Sequence, residues 1–180
     1  MNIFFLNSNP KKSAQMMHNK HVVKMILESA QMLCTAYHIK SDCRDVIPYK
    51  KAYENHPMTK WVRESIGNLD WTIKHSLELC LIYKKWRNKE HKTEKVINWC
   101  FNNKNKLIEL KNVSQKLTSP PLCMPDKYKI KFRFSNLDNY VASYLNYYQN
   151  EKIQINSEWC NRIKPSFKLS LIKSCFITKY

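Results

Sequence analysis

Apolar residues recur along most of this chain at three- and four-residue intervals, the spacing that gathers them on one face of an α-helix. Val23, Ile26, Leu27, Ala30, Leu33, Cys34 and Tyr37 form one broad stripe and predict a first helix over 11–38, with Ser13 or Asn9 as its cap. Val62, Ile66, Leu69, Ile73, Leu77 and Cys80 form a second stripe and predict a helix over 57–87. Asn55 and Pro57 suit its start, because Asn caps well and Pro is tolerated in a first turn. Thr93 and Glu94 open a third segment carrying Val96, Ile97, Cys100 and Phe101, frayed or broken towards residue 112. A last helix over 138–155, capped by Asn136 or Asp138, brings Val141, Tyr144, Leu145 and Tyr148 to helical spacing.

The stretches between these stripes lack the period. Residues 39–55 read as a loop. Residues 118–134 are broken by Pro120, Pro121 and Pro125 and read as irregular, with "KIKFRF" alternating as an edge strand would. "IFFL" at 3–6 is a brief strand or a segment plugged into the core. The predicted fold is mainly α: a compact bundle of three to five helices with an irregular Pro-rich loop. A helical domain spans 1–156, and a basic C-terminal extension follows over 157–180.

Composition narrows the function classes. There is one glycine, Gly67, so Gly-rich phosphate loops are nearly excluded, and neither GxGxxG nor a Walker A motif occurs. The formal charge of +17 favours a polyanionic partner, because each neutralised phosphate releases a counterion. A lysine-rich codon bias would give the same count, but Tyr and Trp interleaved with the lysines point to nucleic acid. Seven cysteines without a CxxC pair or a signal peptide fit reduced thiols in an intracellular compartment. No window has the length and apolarity of a membrane span.

Three groupings carry candidate chemistry. His18, His21, Met25, Glu28 and Met32 share a sector opposite the first helix's stripe. They read as a carboxylate beside imidazoles, suited to acid–base or electrostatic work, or as ordinary surface decoration. A metal site there lacks a third strong ligand, so neither metal nor cofactor is expected. On the second helix Trp61, Glu64, Asn68, Trp71, His75, Ile82 and Trp86 share a sector that either stacks bases or packs between helices. His56 and Lys60 stand where a helix N-terminus would favour phosphate. Tyr147, Lys152 and Arg162 complete the candidate nucleic-acid contacts, with Lys20 and Lys24 beside the His–Glu sector.

Two resemblances follow from these motifs. "KHVVKMILESAQMLCTAYH", "NHPMTKWVRES", "PLCMPDKYK" and a Tyr-rich helix look like a family of small uncharacterised proteins of phages and giant viruses, over most of residues 1–165. This implies a viral origin, in the virion or the host cytoplasm. More remotely, the chain resembles the phage-type pyrimidine dimer DNA glycosylases, the endonuclease V enzymes of phages. That family has a His seven residues before the catalytic Glu on its first long helix, as His21 and Glu28 stand here. His56 in "HPMTKW" matches a second His opening a later helix, and Tyr147 and Tyr148 match a Tyr-rich segment.

The resemblance implies a helical domain that kinks damaged double-stranded DNA and flips a base. The chain's own α-amine, at Met1 or Asn2, attacks the sugar C1′, and Glu28 stabilises the cation and imine. The chain departs from the family pattern at Asn2, where a small residue is usual, and at Ile3, Leu27 and Gln31, where basic residues are usual. The leading expectation is a DNA glycosylase/AP lyase. The alternatives are a non-enzymatic viral nucleic-acid-binding protein and a nucleotide- or modified-base-processing enzyme using His21, His56 and Glu28.

Overall fold

A computed structural model describes residues 2–42, 46–107, 114–131, 136–154, 156–160 and 162–167. Among the described residues there are six α-helices and no strand: α1 (Pro10–Gln15), α2 (Asn19–Lys40), α3 (Pro57–Val62), α4 (Ile66–Arg87), α5 (Glu94–Asn102) and α6 (Leu137–Tyr147). The mainly helical class is as the periodicity predicts. Half of "KIKFRF" (129–134) and the predicted continuation of the third helix past 107 lie outside the described residues.

Both long predicted helices are broken once. Asn9 caps α1 by accepting from the Lys11 and Lys12 amides, with Pro10 in the first turn. The chain then turns at 16–18 and His18, extended at ψ 162°, restarts the helix as α2. The break is stable because its polar groups find partners elsewhere. The Trp159 indole donates to Met16 O, Arg162 to Met17 O, and His18 N–H to the Tyr148 hydroxyl. The second break lies at 63–65, where Ser65 caps α4 by accepting from the Asn68 amide. His56, not Asn55, caps α3, through Nδ1 to the Met58 amide.

Gly67 explains why the chain keeps a glycine in the first turn of α4. The 114–118 segment crosses over it, and a Cβ there would sit 2.4 Å from the Lys116 carbonyl carbon. Ser65 Oγ donates to Lys116 O, and Ile66 N–H reaches Ser114 O at 3.3 Å, so the crossing is tied down on both sides.

α2 is the central helix, packed against α3, α4 and α5. Its buried surface therefore extends well beyond one stripe. Met25 and Met32, placed by periodicity opposite the stripe, are buried by protein, whereas Leu27, placed on it, is 42% exposed. Residues 3–6 form no strand but are fully inserted, and extended backbone sends alternate side chains to opposite sides. Phe5 stacks on Trp71 at 4.5 Å and meets Trp61 edge-on. Phe4 faces the other way, stacked on His21 at 4.5 Å and edge-on to Tyr148. Ser13 pins the register by accepting from Leu6 N–H and donating to Phe4 O.

The last predicted helix, 138–155, ends as α-helix at Tyr147 and closes with a π-helical turn over Tyr148–Lys152. The wider turn shifts the register by about one residue. Tyr147 lies before that turn, and it is buried with Tyr144 and Tyr148, although it stands off the predicted stripe, because Phe4 and Tyr128 pack on its ring.

Candidate functional site

Insertion of 3–6 delivers residue 2 to α2. The Asn2 backbone nitrogen donates to Glu28 Oε2 at 2.8 Å. Glu28 is one helical turn beyond Lys24, whose Nζ lies 3.5 Å from Oε1. The carboxylate is 13% exposed and the ammonium 65%, so the pair is largely screened on the lysine side. Met1 lies outside the described residues. The Asn2 amide Nδ2 donates to Cys123 O at 3.0 Å, tying residue 2 to the Pro-rich segment as well as to α2.

His21 lies in the first turn of α2, about two turns before Glu28, and is held by Tyr148. The Tyr148 hydroxyl accepts from His18 N–H at 3.1 Å, so its single proton is free for His21 Nδ1 at 2.9 Å. Burial holds the phenol pKa well above its ordinary value, which keeps that proton in place. His21 is then the tautomer carrying its proton on Nε2. Burial, with His18 and Lys152 adding to it, lowers the His21 pKa to about 3. At neutral pH it is an uncharged ring with one N–H to offer, suited to hydrogen bonding rather than to proton donation as an imidazolium. His18 is buried, its ring 4.1 Å from His21, and burial lowers its pKa to about 4.

His56 faces the same region from α3. Burial lowers its pKa, and the Glu28 carboxylate opposes that shift. Its Nδ1 is taken by the cap, leaving Nε2 for any other contact. Lys60 is exposed one turn on and lines a cavity of about 570 Å³ between α3, residues 119–121 and Tyr140, with Arg63 and Trp61. This cavity adjoins the Pro-rich segment that holds Asn2.

Asn2 and His56 thus stand beside Glu28 and Lys24 part-way along α2, while His21 lies near its N-terminus with Lys20 exposed beside it. Four predicted nucleic-acid contacts are placed elsewhere or spent on the fold. Trp71 and His75 are in the core: the Trp71 indole donates to Ser8 O, and His75 stacks beneath it with no exposure. Their sector of α4 is the one that receives Phe5 and α1, so packing is its role here. Tyr147 is buried against Phe4 and Tyr128 at ring distances of 6.2 and 5.2 Å, with Lys152 Nζ 4.8 Å over its ring.

Arg162 donates to Gln15 O, Met17 O and Asn19 Oδ1, which places a cation at the C-terminal end of α1. Residues Cys123 and Tyr144, which the sequence does not mark as site residues, stand at the site. The motif "PLCMPDKYK" was the only signal for the first, and the helical stripe hid the second among packing residues.

Residues 1–96, just over half of the chain, match the family described as pyrimidine dimer DNA glycosylase. The chain belongs to the pyrimidine dimer DNA glycosylase family. That membership agrees with the resemblance read from the His–Glu spacing and implies DNA as substrate or partner. No curated protein and no solved structure matches the chain. The matched region contains Asn2, Glu28 and His56, while Cys123, Tyr144 and Tyr148 belong to the part beyond it. Among the described residues no group of three or more His, Cys, Asp or Glu side chains could hold a metal ion, and no helix is long and apolar enough to cross a membrane.

Proposed function

We propose that this member of the pyrimidine dimer DNA glycosylase family is a glycosylase/AP lyase acting on damaged or modified bases in double-stranded DNA, with the N-terminal amine as nucleophile and Glu28 as its carboxylate. The observation that supports this reading is the 2.8 Å contact between the residue-2 backbone nitrogen, a peptide nitrogen that becomes the chain's α-amine when Met1 is removed, and Glu28 Oε2. Catalytic groups must converge within hydrogen-bond reach or one water, and this contact is within that reach.

An α-amine titrates near 7.7–8.0, so a useful fraction is neutral at pH 7. Its lone pair forms a bond to C1′ as the glycosidic bond breaks, and the electron pair leaves on the base, which takes up a proton. The amine loses one proton, the sugar ring opens as the C1′–O4′ bond breaks, and O4′ takes up a proton. The C1′–N bond becomes an iminium that keeps one N–H and whose positive charge Glu28 faces. Loss of a proton from C2′ then expels the 3′ phosphate and nicks the strand. His21, neutral and fixed by Tyr148, offers Nε2–H to the substrate. Lys20, Lys24, Lys60 and His56 supply phosphate contacts around the site.

The test is strand cleavage. Abasic and UV-irradiated duplexes are nicked by the wild-type protein. Glu28→Gln abolishes nicking and retains duplex binding. Salt-sensitive binding with no nicking in the wild type sinks the lyase reading and leaves a DNA-binding protein.

A further inference from the structure

The lyase reading above requires the N-terminal nitrogen to be held, since the first residues of a chain fray unless they are tied down. Insertion of Ile3–Leu6 accounts for the backbone up to residue 3. It does not account for residue 2, which is anchored by its own side chain. We propose that the Asn2 side chain is a positioning residue for the nucleophile, taken as the residue-2 nitrogen freed by removal of Met1, and that its anchor, the Cys123 carbonyl, is set by Tyr144. This inference rests on the lyase reading for its consequence but not for its geometry.

Asn2 is gripped from two sides. Its nitrogen donates to Glu28 Oε2 at 2.8 Å and its amide Nδ2 to Cys123 O at 3.0 Å. One bond alone leaves the nitrogen free to swing about the chain; two, to separate elements, fix it. The Cys123 carbonyl is presented by tight local turns: Cys123 N–H bonds Pro121 O and Met124 N–H bonds Leu122 O, both three-residue closures.

That segment lacks regular structure and is held by Tyr144 on α6, whose hydroxyl donates to Pro121 O at 2.6 Å from a fully buried ring. The hydroxyl's one proton is thereby used. Its 3.5 Å separations from Asn2 Oδ1 and Cys123 N are contacts too long to act as the main tie. The order of dependence is Tyr144 to Pro121, Cys123 to Asn2, and Asn2 to Glu28. It also gives a reason for asparagine at a position where the family's pattern has a small residue: serine or alanine would not reach the carbonyl.

The experiment is single-turnover borohydride trapping on an abasic duplex with the full-length protein in excess, for Asn2→Leu, Tyr144→Phe and the double variant. Leu matches the shape of Asn without the donor. Each single change lowers the trapping rate about 10- to 100-fold, the effect of a nucleophile misplaced by about 1 Å. The double variant is no slower than the slower single variant, while duplex affinity stays within about twofold. Unchanged rates, or losses that multiply, overturn the proposal.

A second measurement does not need activity: the Asn2 side-chain amide signals in the NMR spectrum stand apart in the wild type and move to the free-amide position in Tyr144→Phe. Amide signals that stay where they are in Tyr144→Phe overturn the anchor. A wild type that traps nothing defeats the lyase reading, and the amide signals still decide the anchor.

Discussion

His75→Phe separates a core histidine from a nucleic-acid contact. The His75 ring has no exposure, stacks on Trp71 at 4.8 Å and 14°, and has no hydrogen-bond partner among the described residues at either nitrogen. Burial lowers its pKa to about 3. The unfolded chain binds a proton near pH 6.5, so below that value it takes up a proton that the folded chain refuses. Stability from this group is complete above about pH 6.5 and declines as the pH falls towards 3. At about pH 5 the deficit is roughly 1.5 pH units at 1.36 kcal/mol each, or about 2 kcal/mol. Phenylalanine keeps the stack and removes the proton site, and no hydrogen bond is lost.

Urea unfolding at pH 7 and about pH 5 measures the difference. The wild type loses about 2 kcal/mol more than His75→Phe over that interval. His18 and His21, whose pKa values are also lowered by burial, leave residual acid sensitivity in both proteins. Duplex affinity is the same in both. An equal loss of stability in the two proteins, or a drop in affinity on substitution, refutes the placement of His75 in the core.

Gly67→Ala forces the 114–118 crossing away from α4 and costs about 1–3 kcal/mol, read as a lowered melting temperature. Arg162→Leu removes three charge-assisted hydrogen bonds at the α1–α2 junction and costs about 2–4 kcal/mol in urea unfolding, with no change in the salt dependence of DNA binding. Lys60→Gln leaves stability unchanged and lowers the slope of log affinity against log salt by about 1, as the loss of one phosphate contact does.

The helical class and the approximate positions of the long helices were legible from spacing alone. The breaks at 16–18 and 63–65 were not, because each is stabilised by partners more than 45 residues away: Trp159 and Arg162 for the first, Lys116 for the second. Periodicity assumes one buried face, so it misplaced Leu27 and Met25 on a helix covered from several directions. The same assumption offered Trp71 and His75 as a working face, when that side of α4 receives Phe5. Tyr147 stands off the stripe of α6 yet is covered by Phe4 and Tyr128, which reach it from outside that helix. The contact of residue 2 with Glu28 has no signal in the spacing and was implied by the family resemblance alone. It depends on Phe4 and Phe5 filling two different clefts, and "IFFL" announced only that the segment is apolar.

The central claim is that the chain's N-terminal amine and Glu28 form one reacting site. Peptide mapping by mass spectrometry of the borohydride-trapped complex on an abasic duplex tests it most directly. The account predicts a single adduct on the amino group of the N-terminal peptide, absent in Glu28→Gln. An adduct on a lysine side chain contradicts it, as does an adduct that forms equally well in Glu28→Gln.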